Sequence, residues 1–566
     1  MFLTGVWDAQ WKQGKGMKRL CPFDRLQTEA SPTCISLQSR ISPPIQAPRL
    51  VTCFVIKGML AVAPEIPPSL ETSLTEQRWW NRHGYILPVF LLTMAICAWF
   101  VTWGDWNLFD REHFCGFYDA QARSLIAGRL DVPQAAIGTE SFTFHGRTYG
   151  YFGIGPALLR VPLVLLFKNM DGRWSRMMMF IACSLNLICA YGLLTLVRRE
   201  QVANWRKRRL LHSLFILCAG IGSTNVFLVA RSFTFHEAIM WGGTFALLFT
   251  WTILSYLARP SKALLLLASS FAFMSLHSRA TVGVGPLLVM IVVAGALIWR
   301  IFGNPKALRS MFGFATSPDA RSHAIIASAA IIIILVSYFG VNYAKFHTFD
   351  GVPLKYYDIF AQNAAFRQVS GGRQLHLENV PTALVSYLGF HGLWLAQFPW
   401  IYPSREATFV GSPAIIFVDG FSTFPVSMPA LLVLAGLGGL PLVRGGSETA
   451  RRLRLPAIAL LCGGAIVLAA LVLTERYLHD FYPALIICGA VGVSRIEQEK
   501  YPRAATALIA VLATVSIAVN CSLALENQRL DTSWNVGDIP AAKKAEFKRF
   551  QRSIYLWFHS PRQIKN

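Results

Sequence analysis

From Tyr85 to Trp103 the chain carries no charged side chain, a length close to the roughly 20 apolar residues that a bilayer core demands. Ten further apolar runs follow, at Met177–Val197, Leu211–Ala230, Ala238–Leu257, Ala263–Leu276, Gly285–Phe302, Ala324–Val341 and at about 424–443, 455–474, 481–494 and 504–523. Lipid offers no partners for backbone N–H and C=O groups, so a chain of this kind must close those bonds inside helices. The pattern predicts an all-α polytopic membrane protein of about eleven spans. The 54% hydrophobic residues and mean hydropathy of +0.43 agree with it.

A net charge of +23 invites a nucleic-acid reading, yet Lys and Arg gather in the links between apolar runs, where the positive-inside rule places them. Topology therefore accounts for the basicity without any nucleic acid. The eleven cysteines show no paired spacing, so neither a disulfide framework nor a zinc site is indicated. Residues 1–80, rich in Pro, Ser, Gln and Thr, read as a disordered cytoplasmic tail, with Met17 and Met59 as alternative starts.

One short run poses the topological choice. Residues 154–167 are interrupted by Gly155, Pro156, Arg160 and Pro162; if they spanned, the next run would export Arg198, Arg199, Arg206, Lys207, Arg208 and Arg209. The positive-inside rule forbids that, so 154–167 is expected as an interfacial helix on the outer leaflet. Residues 104–176 then form one external loop, 344–423 a second, and the chain divides into an N-terminal transmembrane module (81–343), that second loop, C-terminal helices (424–523) and a basic tail (524–566). The tail is expected at the external face or on the membrane surface, as an amphipathic helix around Ala541–Phe558.

The first loop holds Asp105, Asp110, Glu112, Asp119, Asp131, Glu140 and Asp171, a large share of a sparse acidic set. Within it FYDAQARSLIAGRL repeats Tyr118, Ala122, Leu125 and Ile126 at helical spacing, with Gly128 where a C-terminal cap would sit. Asp119 falls in the first turn, where it caps the helix, pairs with Arg123 four residues on, or does chemistry. Arg231, His236 and Glu237 stand at a span boundary beside Trp241; they face a cavity or snorkel to headgroups. Arg279 and Arg476 follow other spans, as phosphate forks or helix-end anchors.

These features together resemble the GT-C superfamily of integral-membrane glycosyltransferases that use polyprenyl-phosphate sugars. The resemblance rests on Asp119 in FYDAQARSLIAGRL, on GRTYGYFGIGPALLRVP with Tyr149, on the span SRMMMFIACSLNLICAYGLLTLVRRE, and on FHEAIMWG, and it extends over about 85–523. It implies a GT-C-like bundle in a bacterial inner membrane with its active site on the external face, a lipid-linked sugar donor, and a glycan, lipid or protein acceptor of the cell envelope. It also implies inverting hexosyl or pentosyl transfer with a first-loop aspartate as base. Asp119 is the first candidate and Asp110 the second, while His236, Glu237, Arg279, Arg476 and Tyr149 are candidates for substrate contact. No compact acidic pair stands in the first loop, so no metal ligands are assigned and a divalent cation is left open as cofactor. In the second loop Tyr356, Tyr357, His391, Trp394 and Trp400 offer aromatic faces for sugars or for the membrane interface. A transporter or flippase, and a polysaccharide polymerase or ligase, are the competing classes; the two halves show no convincing internal repeat, which a secondary transporter should have.

Overall fold

The apolar runs become helices with lengths set by the polar residues that bound them. The computed structural model describes residues 83–112, 115–198, 209–302, 319–391, 393–395, 397–444, 448–498, 502–529 and 541–558. The expected tail 1–80 and much of the basic links lie outside the described residues. The labelled helices, in order, are α1 (Leu87–Val101), α2 (Phe117–Ile126), α3 (Gly155–Leu166), α4 (Ser175–Arg198), α5 (Arg209–Gly220), α6 (Thr224–Val229), α7 (Thr234–Ala258), α8 (Lys262–Leu276), α9 (Ala280–Phe302), α10 (Ala320–Phe346), α11 (Val380–Leu388), α12 (Pro429–Arg444), α13 (Glu448–Ala465), α14 (Tyr482–Gln498), α15 (Pro502–Arg529) and α16 (Ala541–Phe558).

Eight helical segments of the described residues are long and apolar enough to cross a membrane: α1, α4, α5 with α6, α7, α9, α10, α13 and α15. The expected count of eleven also needs α8, α12 and α14, which have 15, 16 and 17 residues and fall short of a full crossing by length or hydropathy. The run 211–230 is not one helix but two, because Ser223 in extended conformation caps a fresh start at Thr224 by accepting from the Asn225 N–H. In α10 the side chains of Ile325, Ile332, Ile333 and Val336 are exposed, the apolar face expected of a helix against lipid. The bundle core lies where α7, α8, α9, α10 and α13 meet, around Phe249, Ile253, Leu265, Met290 and Leu455.

The run 154–167 folds as one short helix, α3. α3 has 12 residues, about 18 Å of rise, too short for a bilayer core. It buries Ala157, Arg160 and Val164 and leaves Leu165, Leu166 and Phe167 exposed. Its start is seated by close contact: the Gly155 N–H donates to the His277 carbonyl at 2.7 Å, and a Cβ on Gly153 would lie 1.9 Å from that same oxygen. The glycines of YFGIGP thus let the first loop dock on the α8–α9 turn.

Both long loops meet at one end of the bundle. In the first loop, strands β1 (Phe142–Phe144) and β2 (Arg147–Tyr149) form a hairpin whose two-residue turn places His145 and Gly146 at positive φ. The Ser141 hydroxyl donates to Asp358 at 2.5 Å, and the Phe142 ring stacks on Tyr357 at 4.7 Å. From the end of α10, the Lys345 ammonium donates to the carbonyls of Gly150 and Phe152. At the same end Gln528 of α15 donates to the Phe100 carbonyl of α1. The expected amphipathic helix is α16, which lies against the second loop through Gln551 and the rings of Phe547, Phe550 and Phe398. The opposite end carries its own polar join, in which Tyr85 shares a hydrogen bond with His212, and His212 with Glu497.

Candidate active site

The first loop is fixed by one buried cation. Arg160 of α3 donates from Nε to Asp119 Oδ1 at 2.5 Å and from both terminal nitrogens to the Glu237 carboxylate of α7 at 2.5 and 2.8 Å. Arg160 and Glu237 are fully buried, and Asp119 is 1% exposed. The second Asp119 oxygen accepts from the Gly172 N–H at 2.5 Å, and Ser175 completes the set with a bond to Arg160. Burial pushes the Asp119 carboxyl above its ordinary range while the Arg160 charge pulls it back. Neither of the modest alternatives for Asp119 is what the fold uses: Arg123 forks onto Asp171 at 2.6 and 2.9 Å, and α2 has no side-chain cap. Each Asp119 oxygen accepts one bond and keeps a further lone pair, on a carboxylate that is 1% exposed.

Asp110 is the more open of the two expected bases. Its side chain is 52% exposed; it accepts from the Arg111 N–H and lies 3.7 Å from Arg176. Asp119, Arg123 and Asp171 line a surface groove of about 570 Å³ together with Arg111, Glu112 and Arg129. Its charges are closed on one another, Arg123 with Asp171, and Arg129 turned to Asp131 at 2.9 Å. Glu112 likewise takes Arg231 at 3.1 Å and the Ser232 N–H at 3.2 Å.

A second cluster leaves charge unspent. Arg279, ahead of α9, pairs with buried Asp480 through Nε and one terminal nitrogen, and Thr281 adds a bond to the same carboxylate at 2.6 Å. Arg476 pairs with Asp419 through Nη1 alone, at 3.1 Å, while its guanidinium lies 4.6 Å from the Phe235 ring centre. Both guanidinium groups flank one ring, that of Tyr477, at 5.3 and 5.8 Å. Both are partly exposed, and among the described residues Nε and Nη2 of Arg476 and Nη1 of Arg279 donate to nothing. The sequence reading of these two residues as separate candidates becomes one site, because the fold brings positions nearly two hundred apart to a single aromatic ring.

Glu140 is half-buried at the end of a 3-10 turn (Gly138–Glu140). Its Oε2 accepts from the Tyr357 hydroxyl at 3.1 Å. Burial raises its pKa, opposed first by the Arg476 charge and then by that hydrogen bond. The remaining expected contacts go elsewhere. His236 is buried, its Nδ1 hydrogen-bonded with the Arg231 carbonyl and its ring among Phe227, Phe233 and Phe235. Glu237 belongs to Arg160, and Tyr149 is packed into the loop core on Phe346. Arg160 and Glu140 are the residues that sequence reasoning passed over as site groups, and Tyr357, expected to offer an aromatic face, acts here through its hydroxyl.

A divalent cation does not fit the buried acids. Asp119 and Glu237 are the two carboxylates that converge from different segments, and the Arg160 guanidinium already occupies the place between them. Among the described residues no group of three His, Cys, Asp or Glu side chains is arranged to hold a metal.

No family model and no curated protein matches the chain. Among solved structures it is similar to the oligosaccharyltransferase of Archaeoglobus fulgidus in the apo form, with 13% identity and a TM-score of 0.47 over 84% of this chain and 60% of that one. The same enzyme, AglB, in complex with an inhibitory peptide and a dolichol-phosphate, gives 14% and 0.43 with the same coverage. ArnT from Cupriavidus metallidurans bound to undecaprenyl phosphate gives 10% and 0.38, over 79% of this chain and 76% of that one. The chain thus spans about 60% of the length of the archaeal enzyme. At TM-scores below 0.5 the likeness carries no weight of its own, and the site stands on its geometry.

Proposed function

We propose that the chain is an integral-membrane glycosyltransferase that moves a sugar from a polyprenyl-phosphate donor to a cell-envelope glycan, lipid or protein acceptor on the external face. The observation that carries this reading is the Arg279–Tyr477–Arg476 arrangement: two forked cations with unoccupied donors, beside acids, where both long loops meet the span ends. Planar guanidinium forks match a phosphate's oxygens, and a site at the bundle end lets a polyprenyl tail stay among the helices.

In the reaction the acceptor oxygen attacks the anomeric carbon from the face opposite the phosphate. The carbon–oxygen bond to phosphate breaks and its electron pair leaves with the phosphate, where the free N–H groups of Arg279 and Arg476 offset the growing charge. The proton leaves the acceptor hydroxyl for a first-loop carboxylate, and configuration inverts. Asp119 and Asp110 are the bases implied by the resemblance. Asp119 with Arg160 and Glu237 holds α2 and α3 onto α7, so the loop that forms the site is rigid.

Arg476 is the better probe of the two cations. Asp480 is fully buried, so removing Arg279 strands a carboxylate at a cost of about 3–5 kcal/mol, whereas Asp419 is 32% exposed and tolerates the loss of its partner. Arg476→Ala is expected to lower transfer by about 10²–10³-fold with unchanged folding. Full transfer activity in that variant removes the phosphate role.

A further inference from the structure

We propose that Glu140, held by Tyr357, is the group that takes the acceptor's proton. This rests on the transferase reading and assigns the base within it. Glu140 differs from five of the other six acids of the first loop in what it touches. Asp119, Glu112, Asp131 and Asp171 each meet an arginine at 3.1 Å or less, and Asp110 lies 3.7 Å from one. Among the described residues Glu140 meets no cation within ion-pair distance; its one bond is from a neutral phenol to Oε2, and Oε1 accepts from nothing. The residue is half-buried, so that free oxygen is open to a ligand.

Position supports the role. Ser141 and Phe142, the next two residues, are pinned to the second loop by the bond to Asp358 and the stack on Tyr357, so the carboxylate is carried on fixed backbone. Arg476 from the span end acts on its charge, and Arg476 is the cation with two unoccupied donors. In the displacement the acceptor oxygen and the leaving phosphate lie on opposite faces of one sugar carbon, and the proton passes from that oxygen to the carboxylate. The titratable and charged groups around Glu140 are Tyr151 from the first loop, Tyr357 and Asp358 from the second, and Arg476 from the span end. The two phenols have their pKa values pushed up by burial, so neither supplies the acid limb of a pH profile.

Chemically, a lone pair on Oε1 accepts the acceptor's hydroxyl proton as the new glycosidic bond forms. Tyr357 keeps its own proton and aims the carboxylate, which makes it a positioning residue.

The test compares Glu140→Gln, Glu140→Asp, Tyr357→Phe, Asp119→Asn and Arg476→Ala. Each is expressed in source cells lacking the native gene, with envelope sugar composition as the readout for transfer; purified proteins are titrated with a polyprenyl phosphate and melted in detergent. Glu140→Gln is expected to bind polyprenyl phosphate and melt like wild type while transfer falls by about 10²–10⁴-fold. Glu140→Asp should recover part of the rate. Tyr357→Phe should move the acid limb to higher pH, since the lost hydrogen bond had favoured the charged carboxylate. If Glu140→Gln transfers normally while Arg476→Ala does not, the base assignment is wrong and the transferase reading stands. Loss of transfer in Glu140→Gln together with lost phosphate binding or a lowered melt also overturns it, in favour of a structural role. An envelope unchanged by loss of the gene itself overturns the transferase reading.

Discussion

Replacing Arg160 with Met tests the internal logic of the first loop. The side chain makes one charge-assisted bond to Asp119 and two to Glu237, and all three partners are at most 1% exposed. Methionine keeps much of the volume and removes the charge, which leaves two carboxylates that are buried with no counter-ion. Breaking a buried pair by deleting one partner costs about 3–5 kcal/mol. The two pairs share one arginine and do not add, so the variant is expected to lose about 5 kcal/mol, a large part of a typical folding free energy. The loss should depend on pH with a definite sign. Without Arg160, the Asp119 carboxyl in the fold sits above its unfolded value still further than it does now. Stability is then retained at low pH and lost as pH rises through that raised pKa. Thermal melts in detergent between pH 5 and 8 read this directly, with the largest deficit at pH 8. Changing Asp119→Asn and Glu237→Gln alongside should restore most of the melt, since no charge is then stranded. A melt within about 1 kcal/mol of wild type at pH 7, or a deficit that does not vary with pH, refutes the network as described.

Three further outcomes are expected. Glu475 is fully buried, one oxygen accepts from the Ser422 N–H, the other from nothing, and burial raises its pKa to about 7. Its folded state favours the proton, so stability falls as pH rises from about 4.5 to 7, by at most about 3 kcal/mol; Glu475→Gln should melt higher at pH 8 and lose that slope. Chelation of divalent ions should leave the melting temperature unchanged, because the Arg160 guanidinium fills the place between Asp119 and Glu237; a melt lowered by chelation and restored by added metal contradicts this. Cys115 should resist thiol reagents from either side of the membrane, since it is buried, its thiol donates to the Glu112 carbonyl, and its pKa is pushed up to about 12; a cysteine introduced at exposed Asn169 reports the side of the first loop instead.

What the sequence made legible was local. The helix read from Tyr118, Ala122, Leu125 and Ile126 is Phe117–Ile126, and Gly128 beyond it has the left-handed φ of 69° that the cap reading asked of it. The run that holds Arg160 is a helix of only 12 residues, and the helix expected around Ala541–Phe558 has those bounds. The site was not local. Arg160 meets partners 41 and 77 residues away, and Glu140 meets Tyr357 at a separation of 217; periodicity holds no information at that range. Arg160 looked like a flaw in an apolar run, when it is the counter-ion of two loops. His236 and Glu237, adjacent in sequence, point to different partners because successive helical residues face about 100° apart.

The central claim is transfer from a lipid phosphate at the paired arginines. The direct measurement supplies membranes containing the protein with polyprenyl-phosphate sugar carrying an isotope label in the sugar, and follows label into envelope material that solvent extraction of lipids leaves behind. Wild type should move the label and release polyprenyl phosphate in equal amount, and Arg476→Ala should do so at least about 100-fold more slowly. Equal transfer by the two proteins, or label that crosses the membrane still attached to its lipid, contradicts the account.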